Sequence, residues 1–146
     1  MPGTAYATGS KRWTEFEGLT MAFFRPRVSR EAEVRYHADQ EAAKGYPAML
    51  EKARVAEREF RAAQGADVPG AELRAAGVAL DQAISGALRS AESAQRATFG
   101  VKAYDDRIRR RKGRATPEGA KWTAEVDRLR TLREEHRLTG IVRVPG

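Results

Sequence analysis

Residues 70 to 112 read GAELRAAGVALDQAISGALRSAESAQRATFGVKAYDDRIRRRK. Apolar positions recur at helical spacing through most of this stretch: Leu73, Ala76, Leu80, Ala83, Ala87, Ala94, Val101, Tyr104 and Ile108, joined by Ile84, Leu88 and Ala91. Spacings of three and four place them on one face of a helix. The register runs through Gly100 without a phase shift, so the pattern predicts one helix of about 43 residues, roughly 65 Å long at 1.5 Å per residue. Gly100 makes a bend or a break possible, glycine being about 1 kcal/mol less favourable than alanine inside a helix. Many seam positions are alanine, which permits close approach of neighbouring helices.

Three further helices are predicted around this one. Ser29 is a good N-cap, and Glu31 and Glu33 follow in the first turn, where the helix dipole favours anions. A first helix therefore runs from there to about Lys44. A second spans Pro47 to Gln64, with Met49, Leu50, Ala53, Ala56, Phe60 and Ala63 on its apolar face. The two are either separate or one helix kinked at Pro47. Gly65 stops the second, and Asp67 and Pro69 open the long third helix. Gly113 suits a C-cap, and Thr116-Pro117 starts a fourth helix reaching about Leu138, with the stripe Trp122, Val126, Leu129, Leu132 and His136. Short connections make sequence neighbours antiparallel. The expected fold is all-α: an elongated helical bundle of antiparallel, coiled-coil-like hairpins around one long central helix. The first and second helices are expected on its N-terminal half and the fourth on its C-terminal half.

Outside this helical domain (28–140) lie two segments without helical periodicity. Residues 1–27, with Pro2, Gly3, Gly9, Gly18 and Pro26, read as a flexible N-terminal arm. Met21 is an alternative start within it, and Trp13 and Phe16 are spaced to form a short amphipathic turn. In the C-terminal tail, 141–146, Ile141 to Val144 alternate like a strand, which suits either a frayed end or strand addition to a partner.

Charge is the other strong signal. The chain has 27 Lys and Arg against 20 Asp and Glu, a net +7. Residues 105–146 hold 12 cations against 7 anions, which is five of the seven excess charges. The centre of that excess is Arg107 to Arg114, R-I-R-R-R-K-G-R, with six cations in eight positions. Asp105 with Arg109 and Asp106 with Arg110 are i,i+4 pairs that would neutralise part of it. The rest exceeds what a helix C-terminus needs to complement its dipole. Arg107, Arg109, Arg110, Arg111, Lys112 and Arg114 are thus candidate nucleic-acid contacts at the tip of a helical hairpin. A helix-turn-helix reading would use the fourth helix as reader, through Lys121, Arg128, Arg130 and Arg137. The long preceding helix and the acids Asp127, Glu134 and Glu135 argue against it.

Several chemistries are excluded or lack support. There is no cysteine, so disulfides, thiolate nucleophiles and Cys-type metal sites are absent. His37 and His136 are far apart, and no metal-binding His spacing occurs. Asp105-Asp106 and Glu134-Glu135 are adjacent, which on a helix points their carboxyls about 100° apart and makes neither a catalytic pair. Ser85, Ser90 and Ser93 have no neighbouring His. The expectation is a non-enzyme with no cofactor and no metal. No secretory signal and no membrane span are apparent, so the cytoplasm is the expected compartment.

Arg outnumbers Lys by 21 to 6 and Asn is absent, a bias of GC-rich coding. The Arg- and Ala-rich helical style resembles small proteins of actinobacterial phages and mobile elements. Two functional expectations follow. The first is a helical interaction or assembly protein of phage or mobile-element type, oligomeric, with Leu73, Leu80, Ile84, Leu88, Trp122, Val126 and Leu129 as candidate partner-binding residues. The alternative is a basic accessory protein that binds nucleic acid without sequence preference through the Arg-rich segment.

Overall fold

A computed structural model of the chain describes residues 28–139. The arm 1–27 and the tail 141–146 expected from the sequence lie outside the described residues. Within them the protein is all-α, a bundle of five helices: α1 (Arg30–Lys44), α2 (Tyr46–Gly65), α3 (Gly70–Phe99), α4 (Arg107–Arg114) and α5 (Pro117–Thr139). A 3-10 turn, Val101–Tyr104, separates α3 from α4.

The caps behave as their residue types dictate. Ser29 Oγ accepts from the Ala32 amide at 3.0 Å and starts α1. Gly45 is the single residue between α1 and α2; its N–H bonds back to the Ala42 and Ala43 carbonyls. Pro47 sits in the first turn of α2, where its missing N–H costs nothing. The two helices form one bent rod, and the Gly45 carbonyl at the joint accepts from the Met49 amide at 2.9 Å.

That rod runs antiparallel to α3 along its whole length. Phe60 of α2 lies against Gly77, and Met49 against Gly86. Past the bend, Ser90 Oγ donates to the Ala42 carbonyl at 2.7 Å, and Arg96 bonds Asp39. The rod ends where Ser29 Oγ donates to Asp105 at 2.9 Å. The first helix therefore packs on the C-terminal half of α3, not on the N-terminal half as expected. The reason is the bend at Gly45: it redirects the chain only slightly, so α1 continues the line of α2.

α5 is also antiparallel to α3, on another face. Gln95 bonds Thr123 at 2.9 Å, Glu92 meets Arg130 at 2.8 Å, and Asp81 receives Arg137 at 2.7 Å. The fourth predicted helix thus covers α3 from 95 back to 77, well beyond its C-terminal half. Tyr46 meets Trp122 edge to face at 5.2 Å, and Phe60 meets His136 at 5.4 Å, so α2 and α5 touch through their rings. His136 Nε2 donates to the Gly77 carbonyl at 2.8 Å, which fixes the packed role of this stripe histidine. Tyr46 also donates to the Glu125 carboxylate. Burial, then that carboxylate, holds the Tyr46 hydroxyl well above the usual phenol range.

The core lies where these rods meet. Leu80, Ile84, Val126 and Leu129 are its largest fully buried side chains, each contributing about 1.5–3 kcal/mol through removal from water. Ala53, Ala87 and Ala91 fill the contact lines between them and let the helices approach closely.

The long helix ends early. Gly100 has φ +92° and ψ 160°, a region essentially reserved for glycine, and the chain turns there. A straight helix would have continued along the line of α3. Instead the 3-10 turn buries Ala103 and brings Tyr104 back to Asp39. Ile108, predicted as a seam residue, is 63% exposed. Gly113 is not a C-cap: it lies inside α4, and Ala115 follows as the cap.

Candidate nucleic-acid interface

The basic segment forms a helix of its own. Asp106 is its N-cap, accepting from the amides of Ile108 at 2.9 Å and Arg109 at 3.2 Å. Eight residues are too few to hold a helix unaided, so α4 depends on its anchors. Arg110 folds inward and donates to the carbonyls of Ala103 at 2.8 Å and Tyr104 at 3.4 Å, which ties α4 to the 3-10 turn. Gly113 presses against the Phe99 ring; a Cβ there would meet ring carbon Cδ1 at 2.6 Å. Beyond α4, Thr116 Oγ1 donates to the Gly113 carbonyl at 2.6 Å and accepts from the Gly119 amide at 3.1 Å. A Cβ on Gly119 would stand 1.8 Å from that same carbonyl, so the α4–α5 corner tolerates only glycine at this position.

These anchors sort the six candidate cations. Arg110 is half-buried and engaged with carbonyls. Arg109 lies 3.6 Å from the Asp106 carboxylate. Arg107, Arg111, Lys112 and Arg114 are exposed and make no ion pair with a described residue. Three of them, Arg107, Arg111 and Arg114, share one helix face by their four-three spacing. The i,i+4 pairs expected from Asp105 and Asp106 do not form. Asp105 accepts from Ser29 instead, and Asp106 caps α4 and lies beside Arg109. Acids remain nearby, with Glu118 in the first turn of α5 and Glu31 and Glu33 in that of α1.

Two clefts open beside this helix. The smaller, about 190 Å³, is lined by Arg35, Arg96, Phe99, Ala103, Tyr104 and Arg110. The larger and shallower, about 500 Å³, includes Tyr36, Phe99, Lys102, Arg109 and Lys112. Under the smaller cleft lies a polar clamp. Asp39 accepts from Arg96 Nε at 2.9 Å and Nη2 at 3.0 Å, and from the Tyr104 hydroxyl at 2.6 Å. Burial pushes the Asp39 carboxyl up, but the bonds from Arg96 and Tyr104 outweigh it and hold it below the usual carboxylate range. Arg35 lies over the Tyr104 ring at 5.5 Å from its centre.

The candidate partner-binding residues fall elsewhere. Leu80, Ile84, Leu88, Val126 and Leu129 are 2% exposed or less, and Leu73 and Trp122 pack half-buried against them. The chain's own α2 and α5 cover the seam that was expected to face a partner. The fourth-helix cations of the helix-turn-helix reading are mostly committed: Arg128 to Glu125, Arg130 to Glu92, Arg137 to Asp81, while Lys121 lies over the Trp122 ring. Among the described residues no cluster of three or more His, Asp or Glu is set to hold a metal ion, and no helix is long and apolar enough to cross a membrane.

Sequence reasoning missed Arg35, Tyr36, Asp39, Arg96 and Phe99. The one available signal was the spacing of Arg35, Tyr36 and Asp39 on adjoining faces of a helix whose average polarity is high. The sequence matches no family model, and neither a curated protein nor a solved structure is significantly similar to it.

Proposed function

We propose that this chain is a non-catalytic nucleic-acid-binding protein that grips the phosphate backbone with the α4 end of its bundle. The observation that carries this reading is the set of four exposed cations, Arg107, Arg111, Lys112 and Arg114, left without acidic partners on one eight-residue helix. Ion pairs link several cations of α2 and α5 to acids of the same molecule, and α4 holds the densest run of cations without one among the described residues. Lys102 on the 3-10 turn and Arg30 at the start of α1 extend it. Backbone phosphates are the ligand that matches several closely spaced, fully charged, water-facing guanidinium groups. The candidate partner-binding residues of the assembly reading are packed under α2 and α5, so that reading draws no support from them.

Four phosphate contacts imply a log–log salt slope of about −3 to −4, from 0.7–0.9 counterions released per contact. Affinity for a labelled oligonucleotide should then fall roughly 50- to 150-fold between 50 and 200 mM salt. Replacing all four cations by alanine should clearly flatten that slope while the circular dichroism spectrum stays helical. Absence of binding at 50 mM salt, or an unchanged slope in the fourfold variant, would reject the proposal.

A further inference from the structure

A basic helix binds duplex and single strand alike, because both present phosphates. What separates them is whether bases are offered for stacking. We infer that the two clefts flanking Phe99 take unpaired nucleotides, so that the preferred ligand is single-stranded nucleic acid. This inference rests on the backbone-binding reading above and deepens it.

Phe99 stands in the wall of both clefts, and the rings of Tyr36 and Tyr104 meet edge to face at 6.0 Å between them. Cations alternate with these rings. Arg35, Arg96 and Arg110 line the smaller cleft, and Lys102, Arg109 and Lys112 line the larger. The smaller cleft is electrically unbalanced. Its three guanidinium groups have one carboxylate bonded among them, that of Asp39, which is held by Arg96. Among the described residues Arg110 bonds neutral carbonyls and Arg35 lies over the Tyr104 ring. The cleft therefore suits an occupant that brings negative charge.

Size narrows it further. About 190 Å³ holds about six waters at roughly 30 Å³ each, and lies below the ~300 Å³ at which pockets admit a drug-sized molecule. One phosphate group fits; a double helix does not. The larger, more open cleft of about 500 Å³ has two rings and three cations in its wall, which suits a base stacked on Tyr36 or Phe99 with its own phosphates held at the rim. A strand laid across Phe99 therefore places a phosphate on one side and a base on the other. It runs on towards Arg107, Arg111 and Arg114 of α4. Paired bases are stacked inside a duplex and cannot reach the rings without being unpaired.

The test is fluorescence anisotropy of the full chain with a labelled 20-nucleotide single strand and with the duplex of the same sequence, at one salt concentration. The single strand should bind at least tenfold more tightly. Tyr36→Leu removes a ring from the cleft wall, and its hydroxyl serves only to accept from Gln40, so the fold should survive. It should weaken single-strand binding roughly tenfold, in line with the loss of one base–aromatic stack, and leave duplex binding unchanged. Phe99→Leu, which keeps an apolar contact with Gly113, should do the same. Equal affinity for both forms, a preference for duplex, or a Tyr36→Leu variant that binds single strand like the parent would each overturn this inference while leaving backbone binding standing. Failure of both ligands to bind would overturn the two together.

Discussion

Removing the carboxylate of Asp39 should loosen one whole end of the molecule. Asp39 belongs to α1, Arg96 to α3 and Tyr104 to the 3-10 turn, so a single side chain joins three elements far apart in sequence. Its side chain is 13% exposed, whereas that of Arg96 is 45% exposed. The difference decides the magnitude. Breaking a fully buried pair costs about 3–5 kcal/mol because a charge is stranded. Here the released Arg96 can turn to water, so the ion-pair share is closer to the 0–1 kcal/mol of a surface pair. The Tyr104 hydroxyl adds a hydrogen bond to a charged acceptor, worth about 1.5–3 kcal/mol. Asp39→Ala should therefore destabilise by about 2–3 kcal/mol, read as a lower urea midpoint with an unchanged slope. In a double-mutant cycle with Tyr104→Phe, the double variant should lose less than the sum of the two single losses, by about 1.5–3 kcal/mol. The pH dependence has a definite sign. The folded carboxyl titrates below its unfolded value, so its stabilising effect is complete above about pH 4 and disappears as pH falls through the lowered value. The penalty of Asp39→Ala should therefore shrink between pH 4 and pH 2. A penalty under 0.5 kcal/mol at pH 7, or one as large at pH 2 as at pH 7, would refute the clamp.

Gly100→Ala separates a broken helix from a continuous one. With φ at +92° the substitution should cost about 1–3 kcal/mol in backbone strain, whereas an alanine in an unbroken helix would stabilise by about 1 kcal/mol; thermal melting shows the sign directly. Ile84→Ala, at a position with no solvent exposure, should cost about 2–5 kcal/mol, and denaturant unfolding that moved the midpoint by less than 1 kcal/mol would place the core elsewhere.

The helices were legible because their signals are local. Ala53, Ala56 and Phe60 on α2, and Val126, Leu129 and Leu132 on α5, fall at helical spacing and are all buried. Ser29 and Pro117 marked starts through their capping chemistry alone. What was illegible depends on contacts over long separations. Asp39, Arg96 and Tyr104 are 57 and 65 residues apart, and two of the three resemble ordinary surface charges when read singly. Their bonds place α1 on the C-terminal half of α3. A glycine in a helical pattern also does not announce its φ, so the unbroken register through Gly100 pointed to a rod the chain does not form. The clefts inherit this blindness, since Arg35, Phe99 and Arg110 meet only after the turn at Gly100 folds α4 back.

The same turn decides what the acids at 105 and 106 do. In a continuous helix Asp105 and Asp106 would lie one turn before Arg109 and Arg110 and screen them. Once the helix breaks, a new N-terminus must be capped, and Asp106 is the residue in place to accept its amides. Asp105 is left facing the start of α1 and receives the Ser29 hydroxyl. Asp106 keeps Arg109 beside it as well, at 3.6 Å, while Arg110 turns to the carbonyls of Ala103 and Tyr104. The break at Gly100 therefore sets the position of the basic segment and not its charge: it gives α4 its own N-cap and takes it off the line of α3, so that Arg107, Arg111, Lys112 and Arg114 are displayed on a separate short helix at that corner.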